Sequence, residues 1–288
     1  MTDGVLEKLV AWAESEPAVR AMILTSSLAR DDATVDALSD YDVIVAVTDA
    51  ERFATDTGWT AAYARPVARW GDETTVHGSR TYFRGVVYED AVKIDWTIWP
   101  DEVLDRVAEA GELINDLDVG YRVLLDKDGR TARWQRATYR AHIPTPPTAE
   151  EYRALVEEFW WSATYVAKSL WRDEIVIAKF ALDNDMKLGV LRRFLEWRIE
   201  LDHDWSVRPG LLGRGLKRLL APELWAEFER TYVGAGIEDN WNALFATADL
   251  FRRVAVEVGE ALGHEYPHEV DESVRSMLEA VRRLPPPP

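Results

Sequence analysis

Apolar positions in the first half of the chain alternate between two periods, and in the second half they keep to one. Val5, Leu6, Leu9, Val10, Trp12 and Ala13 recur at helical spacing and predict a first helix over residues 4–13. Pro17 interrupts that pattern, and Val19-Arg20-Ala21-Met22-Ile23-Leu24 predicts a strand running into the small, hydroxyl-rich turn Thr25-Ser26-Ser27-Leu28-Ala29-Arg30. Residues 31–39 are polar and read as a loop. The apolar, β-branched run after Asp40-Tyr41-Asp42 predicts a strand to Val47, and Asp49 is positioned to cap a short helix starting there.

From residue 67 to 100 the pattern becomes antiparallel strands. Thr81 to Tyr88 is expected to pair with Val92 to Trp99 across Glu89-Asp90-Ala91. In the second of these, Val92, Ile94, Trp96 and Ile98 alternate with Lys93, Asp95, Thr97 and Trp99, so one face is expected in the core and the other open, with Asp95 on the open face. A helix over 101–109, a strand over 119–125 and the turn Asp126-Lys127-Asp128-Gly129 follow. Prolines 144, 146 and 147 mark a boundary, and Thr148 with Glu151 forms a capping-box pattern. Beyond it, residues 150–171, 174–201, 222–232, 240–262 and 269–284 all show spacing of three and four, which predicts a bundle of four or five helices and a frayed Pro285–Pro288 tail. The fold class is therefore α+β: a mixed sheet with flanking helices over 1–143, then an all-α bundle over 144–288.

Composition narrows the setting. The 288 residues contain no Cys, which excludes disulfide and thiolate chemistry and favours an intracellular, cytoplasmic protein. Neither a signal-peptide pattern at Met1-Thr2-Asp3-Gly4 nor a membrane-spanning apolar run is present. A formal charge of −17 disfavours nucleic acid and anionic membranes and favours a cationic partner, although acidity also serves solubility. Thirteen Trp residues suit an acidic, aromatic-lined receptor for a small cation, besides filling the core. A monomer is expected.

Candidate chemistry concentrates at Asp40 and Asp42. Residues i and i+2 of a strand share a face, so the two carboxylates project together, and such a pair calls for a cation. A divalent metal with oxygen ligands, Mg²⁺ carried on a nucleotide, answers that need; a solvated loop-end pair is the alternative. Asp95 on a neighbouring strand would add a third carboxylate beside a turn able to wrap phosphate. Together these are the parts of metal-dependent nucleotidyl transfer, in which a carboxylate takes the proton of an attacking hydroxyl. The five His residues lack zinc-ligand spacing, and no Walker loop or Ser-His-Asp set is evident. Asp126-Lys127-Asp128-Gly129 lacks the downstream ligands of a calcium loop.

These residues resemble a known family. Thr25-Ser26-Ser27 with Leu38-Ser39-Asp40-Tyr41-Asp42 is similar to the Gly-Ser…Asp-x-Asp signature of the polymerase-β-like nucleotidyltransferases, and most of all to that of the aminoglycoside 6-adenylyltransferases. Lys93-Ile94-Asp95-Trp96-Thr97 resembles that family's Arg-Ile-Asp-Leu-Thr element. Tyr165-Val166-Ala167-Lys168-Ser169-Leu170-Trp171-Arg172-Asp173-Glu174 with Ala178-Lys179, and Leu195-Glu196-Trp197, resemble segments of its helical half, so the likeness spans roughly residues 5–265. The resemblance implies ATP and Mg²⁺. It assigns Asp40 and Asp42 to the metal, Ser27 to a terminal phosphate beside Ser26, and Asp95 as base or further metal ligand. It implies adenylylation of an aminoglycoside such as streptomycin at the 6-hydroxyl, an antibiotic-resistance activity. Lys179 matches a family lysine within reach of phosphate. Asp183 and Asp185 are candidates for the drug's cationic groups, Trp161 is a further substrate-binding candidate, and Trp160 and Trp171 are expected to pack. Arg65, Arg69, Arg80 and Arg84 are weaker phosphate candidates.

Two positions depart from the family pattern. Its Gly is Ser26, which gives up free access to positive φ, and its Arg is Leu28, leaving Arg30 as the substitute phosphate contact. Competing readings keep the fold with another small-molecule or protein acceptor, or make the chain a non-catalytic nucleotide-binding relative.

Overall fold

Buried β-branched runs and amphipathic helices divide the chain into a mixed unit, Met1–Ala141, and a helical unit, His142–Pro288. The computed structural model describes residues 4–30, 35–36 and 38–285. Most of the expected loop at 31–39 and of the proline tail lies outside them.

The first unit runs α1 (Gly4–Ser15), β1 (Val19–Thr25), β2 (Tyr41–Val47), α2 (Ala50–Thr55), β3 (Pro66–Val76), β4 (Ser79–Tyr88), β5 (Lys93–Pro100), α3 (Val103–Ala110), α4 (Asn115–Asp118) and β6 (Tyr121–Asp126). The strands form one sheet in the order β3-β4-β5-β2-β1-β6, parallel between β2 and β5 and antiparallel elsewhere. The expected β4–β5 pairing forms, with Tyr82 opposite Ile98 and Val87 opposite Lys93. The expected Asp49 cap also forms, accepting from the Arg52 N–H at 3.0 Å.

β1 and β2 lie at the middle of the sheet and are covered on both faces, which is why they read as continuous apolar runs. Val43, Val45 and Val47 pack with Met22, Leu24, Ile94, Trp96, α1 and α2, while Ile44 and Ala46 pack with Ala21, Ile23, Trp99, α3 and Trp134. Trp99, expected on the open face, is thus buried. On the face carrying Asp95, Lys93, Asp95 and Thr97 are partly exposed, and Trp99 is the residue buried, against α3, Leu117 of α4 and Trp134. The Asp126 turn is a turn: its carboxylate accepts the N–H groups of Asp128, Arg130 and Thr131.

The second unit contains α5 (Ala149–Trp171), α6 (Ile175–Lys179), a π-helical segment Phe180–Leu191, α7 (Arg192–Leu201), α8 (Leu216–Leu219), α9 (Pro222–Glu229), α10 (Ile237–Leu262) and α11 (His268–Arg282). Residues 174–201, expected as one helix, do run on without a break, but their middle is wound wider than an α-helix. Thr148 caps α5 by accepting the Glu151 N–H at 3.1 Å. The reciprocal half of that box does not form, because the Glu151 carboxylate pairs with Arg193. The core is centred on Phe159 stacked on Phe251, with ring centroids 3.6 Å apart. No described helix is long and apolar enough to cross a membrane.

Candidate active site

Register builds the candidate site. In the parallel β2–β5 pair, Asp42 stands directly opposite Asp95, and Tyr41 opposite Ile94. Paired residues of adjacent strands are about 4.8 Å apart and point to the same face, so the two carboxylates are neighbours. One step back along the same register, Asp40 comes beside Lys93, and Lys93 shares its face with Asp95 two residues on. The contacts follow from that placement: Lys93 Nζ donates to Asp40 Oδ2 at 2.6 Å and to Asp95 Oδ2 at 2.8 Å.

The electrostatics reflect crowding. Burial pushes Asp42 up to about 6, with Asp95 and Asp40 adding to the effect; a side-chain hydrogen bond from Ser26 and the charge of Lys93 oppose it. Burial works against the Lys93 charge, but its hydrogen bonds to Asp40 and Asp95 outweigh that and hold its pKa above the ordinary lysine value. Asp95 Oδ1 is buried without a hydrogen-bond partner. Such an orphaned carboxylate oxygen is costly, and it belongs to a group of three acids with one lysine among them, an excess of negative charge.

Among the described residues, no group of three or more His, Asp or Glu is drawn together tightly enough to hold a metal ion. The cation between Asp40 and Asp95 is the Lys93 ammonium. The donor set nevertheless fits a hard divalent cation, because it is all oxygen and includes the unpartnered Oδ1.

In the adjoining turn, Ser26 takes a positive φ. Its φ is 62° and its ψ −145°, a region that glycine enters freely and other residues enter under strain. Ser27 begins a single 3₁₀ turn, Ser27–Ala29, closed by Ala29 N–H to Ser26 O and Arg30 N–H to Ser27 O. Leu28, where the family pattern has Arg, packs against the core on the α1 side of the sheet. Arg30 lies along Gly120, whose φ is +125°; a Cβ there would meet the Arg30 side chain.

Two residues escaped the sequence reading. Lys93 was visible within the motif, and the strand alternation already put it on the face of Asp95. Gly85 of β4 is the partner of Asp95 across the β4–β5 ladder, and a Cβ there would come within 3.2 Å of Asp95 Oδ1. A lone glycine inside a strand was the available signal, since it marks close approach. Of the arginines, Arg65 pairs with Glu89 and Arg80 with Glu73, while Arg84 donates to the Ala54 carbonyl. Arg69 lines a shallow cavity with Trp70 and Arg84.

The remaining candidates belong to the helical unit. Lys179 Nζ pairs with Asp183 at 2.6 Å and donates to the Val233 carbonyl at 3.1 Å. Asp183 also takes Lys187 at 2.7 Å, a lysine that is 0% exposed, lies over the Tyr232 ring and donates to Thr231 O. Burial pulls the Lys187 pKa below the ordinary value despite Asp183. Asp183 and Lys179 are thus already engaged with each other, and Asp185 accepts from Asn184 Nδ2 at 3.0 Å. Trp160 is buried and Trp171 half-buried against the core, whereas Trp161 is 64% exposed beside Tyr165. Glu196 and Trp197 line a cavity of about 340 Å³, where Glu196 is paired with Arg192.

Comparison with known proteins identifies the family. The family described as streptomycin adenylyltransferase matches residues 1–281. An aminoglycoside 6-adenylyltransferase of Bacillus subtilis (strain 168) is 28% identical over 283 residues, covering 96% of each chain. One from Campylobacter jejuni is 27% identical over 270 residues, covering 91% of this chain and 90% of that one. The crystal structure of an aminoglycoside 6-adenyltransferase from B. subtilis is 26% identical, with a TM-score of 0.48 and coverage of 97% of this chain and 98% of the other. The chain belongs to the streptomycin adenylyltransferase family and is a nucleotidyltransferase.

Proposed function

We propose that this enzyme moves adenylate from ATP to a hydroxyl of an aminoglycoside, with streptomycin as acceptor at its 6-hydroxyl and drug resistance as the outcome. The observation that carries the reading is the in-register placement of Asp42 against Asp95, with Asp40 beside them. Asp40, Asp42 and Asp95 would hold Mg²⁺, which supplies charge compensation for the triphosphate and its leaving group. Backbone N–H groups and hydroxyls of Ser26 and Ser27 would orient the terminal phosphates.

Asp95, level with Asp42 and with 16% of its side chain exposed, is suited to take the proton of the acceptor hydroxyl. The acceptor oxygen then bonds to the α-phosphorus as the α–β bridge breaks, and pyrophosphate leaves. The net charge of −17 favours approach of a polycationic drug.

The test is pyrophosphate release from ATP and Mg²⁺ with a panel of aminoglycosides, for wild type and Asp95→Ala. Streptomycin-dependent release, lost in the variant by about 10²–10⁴-fold, is expected. Absence of turnover with every acceptor, together with no streptomycin-induced rise in Tm, refutes the reading. Turnover with a different acceptor alone would move the function to that acceptor class.

A further inference from the structure

The cation position of this site is taken by a side chain of the chain itself. Lys93 Nζ bridges Asp40 Oδ2 and Asp95 Oδ2 at 2.6 and 2.8 Å, joining the loop before β2 to β5. A magnesium ion binds carboxylate oxygens at about 2.0–2.1 Å. The ion and the ammonium cannot occupy the same position between those two oxygens, and their like charges repel at that range. We propose that Lys93 is a built-in competitor for the divalent cation: it neutralises Asp40 and Asp95 in the empty enzyme and must swing away when the ion enters. The inference rests on the metal-dependent reading given above.

The surroundings suit a reversible exchange. Lys93 keeps 40% of its side chain exposed, so its ammonium can move into water without passing through the core, and an exposed pair of this kind is weak enough to break. Asp95 is held more firmly, at 16% exposure, and its Oδ1 is unpaired even with Lys93 in place. Lys93 satisfies one oxygen of each acid and leaves the third acid, Asp42, without a hydrogen bond from it. The enzyme should consequently bind a bare divalent ion poorly and a nucleotide-borne one well, because phosphate oxygens offer the displaced ammonium a new partner. Metal and nucleotide binding are then positively linked.

The test uses the full chain and Mn²⁺ alone, titrated by isothermal calorimetry and by its paramagnetic signal, for wild type, Lys93→Met and Lys93→Arg. Releasing the ion from competition with a charge-assisted hydrogen bond should tighten Mn²⁺ binding by about tenfold or more in K93M. K93R, which keeps the competing charge, should remain like wild type. In EDTA the K93M protein should melt below wild type, and Mn²⁺ should raise its Tm by more than it raises that of wild type. Lys93→Gln serves in the same assays where the methionine variant does not fold. Equal or weaker Mn²⁺ affinity in the neutral variants, with Asp42→Asn abolishing binding, overturns the competitor role and leaves the metal reading intact. No Mn²⁺ binding by any of the proteins, even with α,β-methylene-ATP present, overturns both.

Discussion

Asp42 should make the enzyme less stable as pH rises, and Asp42→Asn should remove that dependence. Its folded-state pKa is raised from 3.8 to about 6, chiefly by burial. The native protein therefore holds this proton more tightly than the unfolded chain. Below about pH 4 both states are protonated and the group has no effect; between 4 and 6 the penalty grows; above 6 it is constant. One pKa unit corresponds to 1.36 kcal/mol, so the full penalty is about 3 kcal/mol at pH 8 and roughly half that at pH 5.

Asparagine is neutral throughout, nearly isosteric, and keeps an oxygen to accept the Ser26 hydroxyl. Other titrating groups are common to both proteins and largely cancel. The stability gap between D42N and wild type should then widen by about 1.4 kcal/mol from pH 5 to pH 8, or roughly 3–5 °C in Tm for a unit of this size. Calorimetric melts of both proteins in EDTA across that range provide the measurement. The reasoning fails if the gap is flat with pH, or if D42N is the less stable protein at pH 8. Under the proposed function, in which Asp42 would hold the metal, turnover should be lost in D42N throughout.

Other expectations follow from the same geometry. Ser26→Gly should relieve strain of about 1–3 kcal/mol while losing a hydrogen bond of about 1 kcal/mol, for a net gain of up to about 2 kcal/mol by urea denaturation. Gly85→Val should leave the β4–β5 pairing intact by circular dichroism yet lower kcat/KM at least tenfold, since its Cβ crowds Asp95 Oδ1. Lys187→Ala should destabilise the helical unit by about 3–5 kcal/mol, because it deprives Asp183 of a partner and opens a cavity; Lys187→Met, which refills the space, should be distinctly milder in the same thermal melt.

Much of the candidate site was legible because its signals are local. A strand carrying Asp40-Tyr41-Asp42 into Val43–Val47 needs only the two-residue period to put its acids on one face, and the alternation around Asp95 needs no more. The helical half was legible for the corresponding reason: apolar residues at three and four spacing fill one core. Trp99 shows where such reasoning stops. Alternation assigns it a face, but whether that face meets water depends on α3 and Trp134, which come from elsewhere in the chain. Leu28 shows the same limit, since its place against the core is set by α1 and the sheet.

By itself, then, the sequence determined the two halves, the strands and the pairing of Asp40 with Asp42, because those depend on side-chain period and on proline. Tertiary structure alone decided that β5 lies parallel to β2 with Asp95 level with Asp42, and that Gly85 leaves room beside it. It also decided that Lys93 closes the gap to Asp40 and that Lys187 is buried against Asp183. Those facts turn on register between segments some fifty residues apart, as in the Lys93–Asp40 contact, and on wider helical winding around residue 183. Neither is encoded in the spacing of neighbours; each emerges when strands choose partners and side chains compete for the space between them.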